Sequence, residues 1–236
     1  MHGLFGHVND ATARVLARNG FRLADTPAQG CCGALHAHAG DLDGARALAK
    51  INIAAFEAAI DTQGVSAIGI NSAGCGAMMK QYGHLLHHDA AWSARATRVA
   101  EHARDVSELL AEAGPVRGNA VAHRVAHDPP CHLMHAQRIT RQPVAVLLSI
   151  PGLEVVPLED ADQCCGSAGI YNLVEPDTSD AVLAPKLARI AESRAEFLAT
   201  GNPGCMMQIG AGLLLAGSST RVVHPVELLD ASYRAG

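Results

Sequence analysis

Seven cysteines are the residues of this sequence with the clearest capacity for chemistry, and six of them recur in a fixed pattern. The triplet Cys31-Cys32-Gly33 returns as Cys164-Cys165-Gly166, 133 positions later. The pair Gly74-Cys75 returns as Gly204-Cys205, 130 positions later. Two motifs repeated at nearly equal offsets predict an internal duplication, with one set of cysteines in each copy.

The seventh cysteine, Cys131, completes only the second set. It lies 33 positions before Cys164, and the repeat offset places its counterpart before Met1. The second copy therefore has four candidate metal ligands, which are Cys131, Cys164, Cys165 and Cys205. The first copy has three, which are Cys31, Cys32 and Cys75, and we expect an incomplete site there.

Adjacent cysteines favour a metal cluster over a single metal ion. A tetrahedral zinc ion prefers paired ligands that are separated by two to four residues, whereas neighbouring thiolates can bind different irons of an iron–sulfur cluster. Two alternatives remain open, a vicinal disulfide that acts as a redox switch and a set of inert buried cysteines. Inert burial accounts poorly for cysteines that sit in repeated, glycine-flanked turns.

Several histidines near the cysteines are candidates for supporting roles. Four of them could replace the missing ligand of the first set, although the simpler interpretation is that each faces solvent: His36, His38, His84 and His87. Beside Cys131, we expect His132 and His135 to donate hydrogen bonds to sulfur without being ligands. His135 is one turn further along and is equally compatible with the surface.

The segments between the cysteines predict an α/β fold. Short apolar runs rich in β-branched residues predict strands at 21–25, 65–70, 120–126, 153–158, 196–200 and 220–224. Helical periodicity appears at 8–19, 42–59, 76–87, 91–113, 132–149, 185–194, 205–216 and 226–233. We expect Pro185 in the first turn of its helix, and we expect Pro143 to kink or restart the helix that it interrupts.

Strands that alternate with helices predict small, mainly parallel sheets flanked by helices. A cluster of glycine, proline and asparagine at 114–119 predicts the link between two pseudo-symmetric halves, residues 1–115 and 116–236. Each cysteine of the second set follows a predicted strand, so all four should meet at the carboxyl edge of one sheet, where open α/β folds bind ligands. Helix N-termini at that edge stabilise anionic sulfur.

Composition limits the classes of function. The net charge of −5 and the absence of a long run of like charges argue against nucleic-acid binding. No apolar stretch is long enough to span a bilayer and the N-terminus lacks a secretory pattern, so we expect a cytoplasmic protein, in which cysteines favour metal over disulfides. No GxGxxG, Walker or GxSxG motif is present, and no catalytic acid, base or nucleophile is assigned.

These motifs resemble those of the cysteine-rich CCG-domain family. The resemblance rests on the two CCG triplets and on the stretches PPCHLMHAQRI, CCGSAGIYN and SAGCGAMMKQYG, and it extends over nearly the whole chain. The family includes the iron–sulfur subunit of glycolate oxidase, an iron–sulfur protein of lactate utilisation and the B subunit of heterodisulfide reductase. The pattern is most like that of the C-terminal region of the first of these and that of the second.

The resemblance implies an electron-transfer subunit of a 2-hydroxy-acid (glycolate or lactate) oxidase complex. Such a subunit takes electrons from a flavoprotein and passes them towards a quinone or another acceptor, without a substrate site of its own. The resemblance also implies that the second set of cysteines ligates one cluster, of the [4Fe–4S] type, and that the first set belongs to another. The implied partners are the flavoprotein and a ferredoxin-type iron–sulfur subunit, and any membrane attachment would come through the complex.

Three departures from the family pattern qualify these expectations. The glycolate oxidase subunit has an N-terminal domain with two ferredoxin-type clusters, which has no counterpart in this sequence. Met78 and Gln208 stand where heterodisulfide reductase has the second cysteine of a CxxC motif. Family members carry a leading cysteine in a GCVM-like segment, in which Met1 would be the methionine, so a misassigned start or a truncation is the expected reason for the missing ligand.

Two other functions remain open. One is direct reduction of a disulfide or related thiol substrate at the CCG cluster, which would proceed without a flavin partner. The other is a non-catalytic module that binds a cluster or a metal and whose first site has decayed. That module would tolerate the loss of Cys31 or Cys32.

Overall fold

The computed structural model describes residues 2–235, so the expectation about Met1 and the leading segment lies outside the described residues. The helices are α1 His2–Arg18, α2 Ala34–His38, α3 Leu42–Gln63, α4 Ala73–Lys80, α5 Tyr82–Leu85, α6 Ser93–His102, α7 Val106–Ala113, α8 Gln142–Leu148, α9 Tyr171–Val174, α10 Pro176–Ser193, α11 Pro203–Leu215 and α12 Pro225–Arg234. The strands are β1 Ile68–Ile70, β2 Ala103–Asp105, β3 Arg124–His127, β4 Glu154–Val156, β5 Phe197–Ala199 and β6 Arg221–Val223, and a π-helical turn covers His132–Ala136.

Two parallel sheets organise the molecule, one in each half. Strands β1 and β2 pair in the first half, and the second half has a four-stranded sheet of order β4-β3-β5-β6. The predicted α/β fold with two halves is confirmed. In the second sheet the chain goes from β3 to β4 on one side and to β5 on the other. The carboxyl ends of β3 and β5 therefore border the crevice in which such sheets bind ligands.

Each sheet has its own hydrophobic core. In the first half, Ile53 of α3 and Tyr82 of α5 pack with β1. In the second half, Leu198 of β5 packs with Ile190 of α10 and Ile209 of α11. Cys32 lies in the first of these cores, and Cys165 and Cys205 lie in the second.

A third core joins the two halves. Helices α1 and α7 of the first half pack against α8 and α12 of the second, burying Val8, Val15, Leu110, Val125, Leu147 and Leu229. At its edge the Arg14 guanidinium donates two hydrogen bonds, at 2.9 and 2.7 Å, to the Asp230 carboxylate. The two ends of the described chain are thus packed together, and burial of apolar surface holds them there.

Two of the predicted elements around the first sheet are wrong. Segment 21–25 is not a strand. Its counterpart in the second half, β4, is hydrogen-bonded to β3, whereas no strand of the described chain pairs with segment 21–25. The continuous helix predicted at 91–113 is broken by β2, because Ala103 and Asp105 pair with Ile68 and Ile70 of β1 and this pairing overrides helical periodicity.

Helix boundaries explain the roles of the prolines. The prediction for Pro185 is wrong, because α10 begins nine residues earlier at Pro176, which occupies the first turn, and Pro185 lies inside the helix. The prediction for Pro143 is confirmed as a restart, since Pro143 lies in the first turn of α8.

Helix α1 extends six residues further towards the N-terminus than predicted, with non-helical torsion angles at Phe5. Within residues 2–235, no helix combines the length and the apolar character that crossing a bilayer requires.

Candidate metal centre

The second set of cysteines lies at the carboxyl edge of the four-stranded sheet. Cys131 follows β3 and begins the π-helical turn, Cys164 and Cys165 follow β4, and Cys205 lies in the first turn of α11, after β5. These three strands are neighbours in the sheet. The strands expected before the cysteines of this set are present, and the three turns that follow them bring all four cysteines to one edge.

The four thiols form a chain of contacts. The Sγ atoms of Cys165 and Cys205 are 3.2 Å apart, and Cys164 lies within hydrogen-bonding reach of both Cys131 and Cys165. Hydrogen bonds from these two neighbours lower the pKa of Cys164. The same contacts, together with burial, raise the pKa values of Cys131 and Cys165. These contacts favour the thiolate form at Cys164 and the thiol form at Cys131 and Cys165.

Three further groups point towards these sulfur atoms. The Gly166 amide donates to Cys164 Sγ at 3.4 Å, and Asn202 Nδ2 donates to Cys205 Sγ at 3.4 Å. The His132 ring has its Nδ1 3.7 Å from Cys131 Sγ, and the ring tautomer decides which of the two donates. Gly166 has φ of +85°, and a side chain there would overlap the carbonyl of Ser179, so only glycine allows this close approach of the turn to α10.

A buried ion pair between α10 and the segment before Cys131 supports the second site. Lys186 of α10 donates to Asp128 Oδ1 and, at 3.0 Å, to the carbonyl of Ala161, and both charged side chains are almost fully buried. Thr200 Oγ1 donates to the other carboxylate oxygen at 2.8 Å. Lys186 also contributes, as a positive charge, to the low pKa of Cys164. Because it spans β3, β5 and α10, this network fixes the turn that leads into Cys131.

The first set of cysteines is more open and less complete. Cys31 is exposed, Cys32 is buried and Cys75 is partly buried. Cys32 lies within hydrogen-bonding reach of Cys75, which raises the pKa of Cys32 and, together with a contact from Ser72, lowers that of Cys75 to about 6. Between residue 2 and Cys31 the structure has no strand, so among the described cysteines of this set only Cys75, which follows β1, stands at the carboxyl end of a strand.

A neutral amide supports the first site. Asn52 of α3 accepts a hydrogen bond from the Gly30 amide at 2.8 Å and donates to the carbonyl of Cys31 at 2.8 Å. The Tyr82 hydroxyl donates to the carbonyl of Cys32 at 3.0 Å. The CCG turn of the first half is thus held through its backbone, which leaves its thiols free of these contacts.

The histidines near the first set do not contact its sulfur atoms in the described part of the chain. Three of them are exposed, which are His36, His84 and His87. His36 Nδ1 is hydrogen-bonded to Asp41 Oδ2 at 2.8 Å, and the rings of His84 and His87 stack with their centroids 5.2 Å apart. His38 is exposed but stacks on His132 of the second site, with ring centroids 5.1 Å apart. His135 is exposed, which agrees with the surface interpretation.

The donor set of the second half suits a cluster better than a single ion. Among residues 2–235, no three His, Cys, Asp or Glu side chains are arranged to hold one metal ion. Four thiols in a chain, with amide donors around them, do not need to converge on one point if each binds a different iron. Cys131, Cys164, Cys165 and Cys205 therefore fit an iron–sulfur cluster, whereas the first half offers three thiols.

Sequence reasoning missed the polar residues that support the cysteines. Asn202 and Ser72 each precede a cysteine by three residues and occupy the N-cap positions of α11 and α4. Lys186 and Asn52 are 134 positions apart, close to the repeat offset, and both lie beneath a CCG turn. Alignment of the two halves would have identified both pairs, although it would not have revealed their contacts.

The comparisons with known proteins agree with this site. The model of the cysteine-rich CCG domain matches residues 1–80 and 125–210. The chain is 39% identical over 234 residues to the probable glycolate oxidase iron-sulfur subunit of Bacillus subtilis (strain 168), covering 97% of this chain and 52% of that protein. It is 35% identical over 226 residues to the glycolate oxidase iron-sulfur subunit of Escherichia coli (strain K12), covering 95% and 54%.

A third relative is matched over nearly its whole length. Lactate utilization protein A of Geobacillus kaustophilus (strain HTA426) is 30% identical over 229 residues, which cover 96% of this chain and 93% of that protein. The chain thus spans about half the length of the two glycolate oxidase subunits and most of the length of the lactate utilization protein. The family model and these relatives agree, and the chain belongs to the cysteine-rich CCG domain family.

Proposed function

We propose that this chain is an iron–sulfur electron-transfer subunit of a 2-hydroxy-acid oxidase or dehydrogenase complex. Cys131, Cys164, Cys165 and Cys205 would ligate one [4Fe–4S] cluster, and Cys31, Cys32 and Cys75 would belong to a second, incomplete site. The relatives named for glycolate oxidase and lactate utilization support the class of complex. Electrons would come from a flavoprotein that oxidises the hydroxy acid and would leave towards a quinone or another acceptor.

The arrangement of the four thiols of the second half is the observation that carries this proposal. They come from the ends of three neighbouring parallel strands, two of them lie in the hydrophobic core, and amide donors surround them. A cluster bound there would supply a one-electron donor and acceptor. The protein would hold it, exclude water from one side of it and set its potential through N–H···S hydrogen bonds.

An exposed apolar surface beside the second CCG turn supports a protein partner. Leu173 and Val174 of α9 are 77% and 60% exposed, and this helix begins five residues after Gly166. Apolar side chains that remain exposed next to a functional turn are typical of an interaction surface. We assign this side of the molecule to the flavoprotein, with a ferredoxin-type subunit as a further partner in a cytoplasmic complex.

Iron counting after anaerobic reconstitution with iron and sulfide tests the cluster. We expect about four irons per chain, the content of one [4Fe–4S] cluster, and loss of this iron in the variant Cys164→Ser/Cys165→Ser. The matched control is Cys31→Ser/Cys32→Ser, which should retain the iron because its changes lie in the incomplete set. Circular dichroism of both variants checks that they fold.

A second measurement tests the relay. The reconstituted protein is mixed anaerobically with a flavoprotein lactate or glycolate dehydrogenase and its hydroxy acid, and bleaching of the cluster absorbance is followed. Bleaching that needs both the flavoprotein and the hydroxy acid is the expected result. Iron that is absent, or that survives the Cys164→Ser/Cys165→Ser change, contradicts the ligand assignment. A loaded cluster that the flavoprotein never reduces contradicts the relay.

A further inference from the structure

We propose that Asn202 is a positioning residue that links the two cysteine sites and raises the reduction potential of the second. This inference rests on the proposed function, since it assumes that the cysteines of the second half hold an iron–sulfur cluster. Asn202 belongs to the second half, yet its side chain contacts the turns of both Cys75 and Cys205. In the described chain it therefore stands where the two sites meet.

The two ends of the Asn202 amide have different tasks. Its Oδ1 accepts a hydrogen bond at 3.0 Å from the backbone amide of Gly74, the residue before Cys75. Its Nδ2 donates to Cys205 Sγ at 3.4 Å. Because a backbone N–H is only a donor, the carbonyl end of Asn202 must face Gly74. The amide orientation is therefore fixed by its contacts, and the N–H end must face sulfur.

The equivalent residue of the first half reaches only its own site. Ser72 occupies the N-cap of α4 as Asn202 occupies the N-cap of α11, and in neither helix does this side chain cap a backbone amide. The Ser72 side chain contacts Cys75, three residues on, and helps to lower its pKa. Both N-cap side chains thus donate a hydrogen bond to a cysteine sulfur. The longer amide of Asn202 has in addition an oxygen that bonds across to the other half.

The surroundings of Asn202 tie the two turns together more widely. The Ala73 amide donates to the carbonyl of Gly201 at 2.9 Å, and Gln137 Nε2 donates to the carbonyl of Ala73 at 2.9 Å. A side chain on Gly74 would begin 3.3 Å from Asn202 Oδ1. The absence of a side chain at Gly74 leaves the Asn202 amide the room that it needs. The Cys75 turn therefore rests directly on second-half residues.

This arrangement has a consequence for electron transfer. An N–H···S hydrogen bond stabilises the more negative, reduced form of a cluster and raises its potential. The bond from Asn202 to Cys205 depends on the orientation of the amide, and the Gly74 backbone sets that orientation. Movement of the Cys75 turn, on ligand binding or loss at the first site, would therefore change the potential at the second.

Two substitutions separate the two ends of the amide. Asn202→Asp keeps an oxygen for the Gly74 amide but removes the donor to Cys205 and adds a negative charge. Asn202→Ala removes both contacts. In metal-free reduced protein, hydrogen exchange at the Gly74 amide should become about fivefold faster in Asn202→Ala, the effect of losing one hydrogen bond, and should stay slow in Asn202→Asp.

The potential of the reconstituted cluster supplies the second measurement. In a dithionite titration followed by electron paramagnetic resonance, both variants should show a more negative midpoint potential than wild type, with the larger shift in Asn202→Asp. The control is Ser72→Ala, which removes the corresponding donor at the first site and should leave this potential unchanged. Iron content, measured on the same samples, should equal that of wild type in all three variants.

The outcomes distinguish this inference from the proposed function. If wild-type protein takes up no iron, the proposed function is wrong, and so is the proposed effect of Asn202 on the reduction potential. If iron is bound but neither variant shifts the potential, or Gly74 exchange is unchanged in Asn202→Ala, the linking role of Asn202 is wrong while the cluster assignment stands. An equal shift in Ser72→Ala would show a general loss of structure at the interface and would also overturn the linking role.

Discussion

Beneath the CCG turn of each half runs a long helix, α3 in the first half and α10 in the second. The glycine of each triplet packs against this helix, Gly33 near the carbonyl of Ala45 and Gly166 near that of Ser179. Seven residues further along each helix lies a buried polar residue that supports the turn. In the first half this residue is the neutral Asn52, and in the second it is the charged Lys186.

The difference between these two residues follows from what lies opposite each of them. Lys186 faces Asp128, which stands three residues before Cys131. Asn52 instead bonds to the Gly30 amide, the Cys31 carbonyl and the Tyr82 hydroxyl, none of which carries a charge. An unpaired buried charge is far more costly than a hydrogen-bonded amide. Support for a CCG turn can thus be ionic or neutral, depending on the groups that face the supporting residue.

Breaking the ion pair of the second half should have the largest effect. Lys186→Met leaves the Asp128 carboxylate buried without its partner, and we expect a loss of about 3–5 kcal/mol in the free energy of unfolding. Urea denaturation of metal-free protein measures it. The double variant Lys186→Met/Asp128→Asn should recover much of the loss, because no charge remains buried. A loss below about 1 kcal/mol in the single variant would contradict the importance of this pair.

The two CCG glycines should differ in their tolerance of a side chain. Both have positive φ, so alanine at either position costs about 1–2 kcal/mol of backbone strain. At Gly33 the new Cβ would lie 3.1 Å from the Ala45 carbonyl oxygen, whereas at Gly166 it would overlap that of Ser179. We therefore expect Gly166→Ala to lose about 1–3 kcal/mol more stability than Gly33→Ala. Equal losses of stability in the two variants, measured by urea denaturation, would mean that α10 moves away from the added methyl group at little cost.

A histidine of the second half, whose ring atom Nε2 is buried, should make stability depend on pH. His127 Nε2 has no hydrogen-bond partner among the described residues, and burial lowers the pKa of His127 to about 4. Between that value and the ordinary value of about 6.5 the unfolded state binds the extra proton, so stability falls as pH falls through this window.

A variant isolates this contribution. The drop in the free energy of unfolding between pH 7 and pH 5 should be about 2 kcal/mol smaller in His127→Gln than in wild type. Asp105, which lines the same small cavity, has a pKa raised to about 6 by burial and acts in the opposite sense in both proteins. Because only the difference between variant and wild type is used, Asp105 does not disturb the test. An identical pH dependence would mean that His127 is protonated when folded.

The smallest effect should arise at the first site. Ser72→Ala removes a donor to Cys75 and should raise the pKa of Cys75, by less than about one unit for one hydrogen bond. The pH profile of Cys75 alkylation in metal-free protein, read by mass spectrometry, measures it. Cys32→Ala should raise the pKa of Cys75 by more than Ser72→Ala does, because the contact with Cys32 is the largest cause of the lowered value. If Ser72→Ala had the larger effect, the thiol pair would not be the main contact of Cys75.

Much of the second half follows from its sequence, for local reasons. The apolar runs at 120–126, 153–158, 196–200 and 220–224 form strands, and each run has neighbours with which to pair. The spacing of the cysteines after these runs correctly predicted the shared sheet edge. The same reasoning failed at 21–25, where the apolar run is present but no described residues form a strand beside it. A strand needs hydrogen-bonding partners that periodicity alone does not provide.

The contacts between the halves could not be read from the sequence. Nothing local distinguishes Asn202 from any other asparagine at the N-cap position of a helix, and its bond to Gly74 joins residues 128 positions apart. Likewise, Ala103 lies in a periodic helical segment but forms a strand with Ile68. Both outcomes depend on which surfaces the tertiary structure brings together, and alignment of the two repeats indicates only where to look.

The packing of α1 against α12 has a consequence for how the chain is made. Arg14 and Asp230, which bond across this contact, are 216 positions apart. At synthesis rates of about 5–20 residues per second, the ribosome needs about 10–40 s to make the chain between them. During that time the apolar face of α1, with Val8 and Val15, lacks the part of its core that α12 supplies. The packed core between the two halves should therefore form late, after α12 has been made.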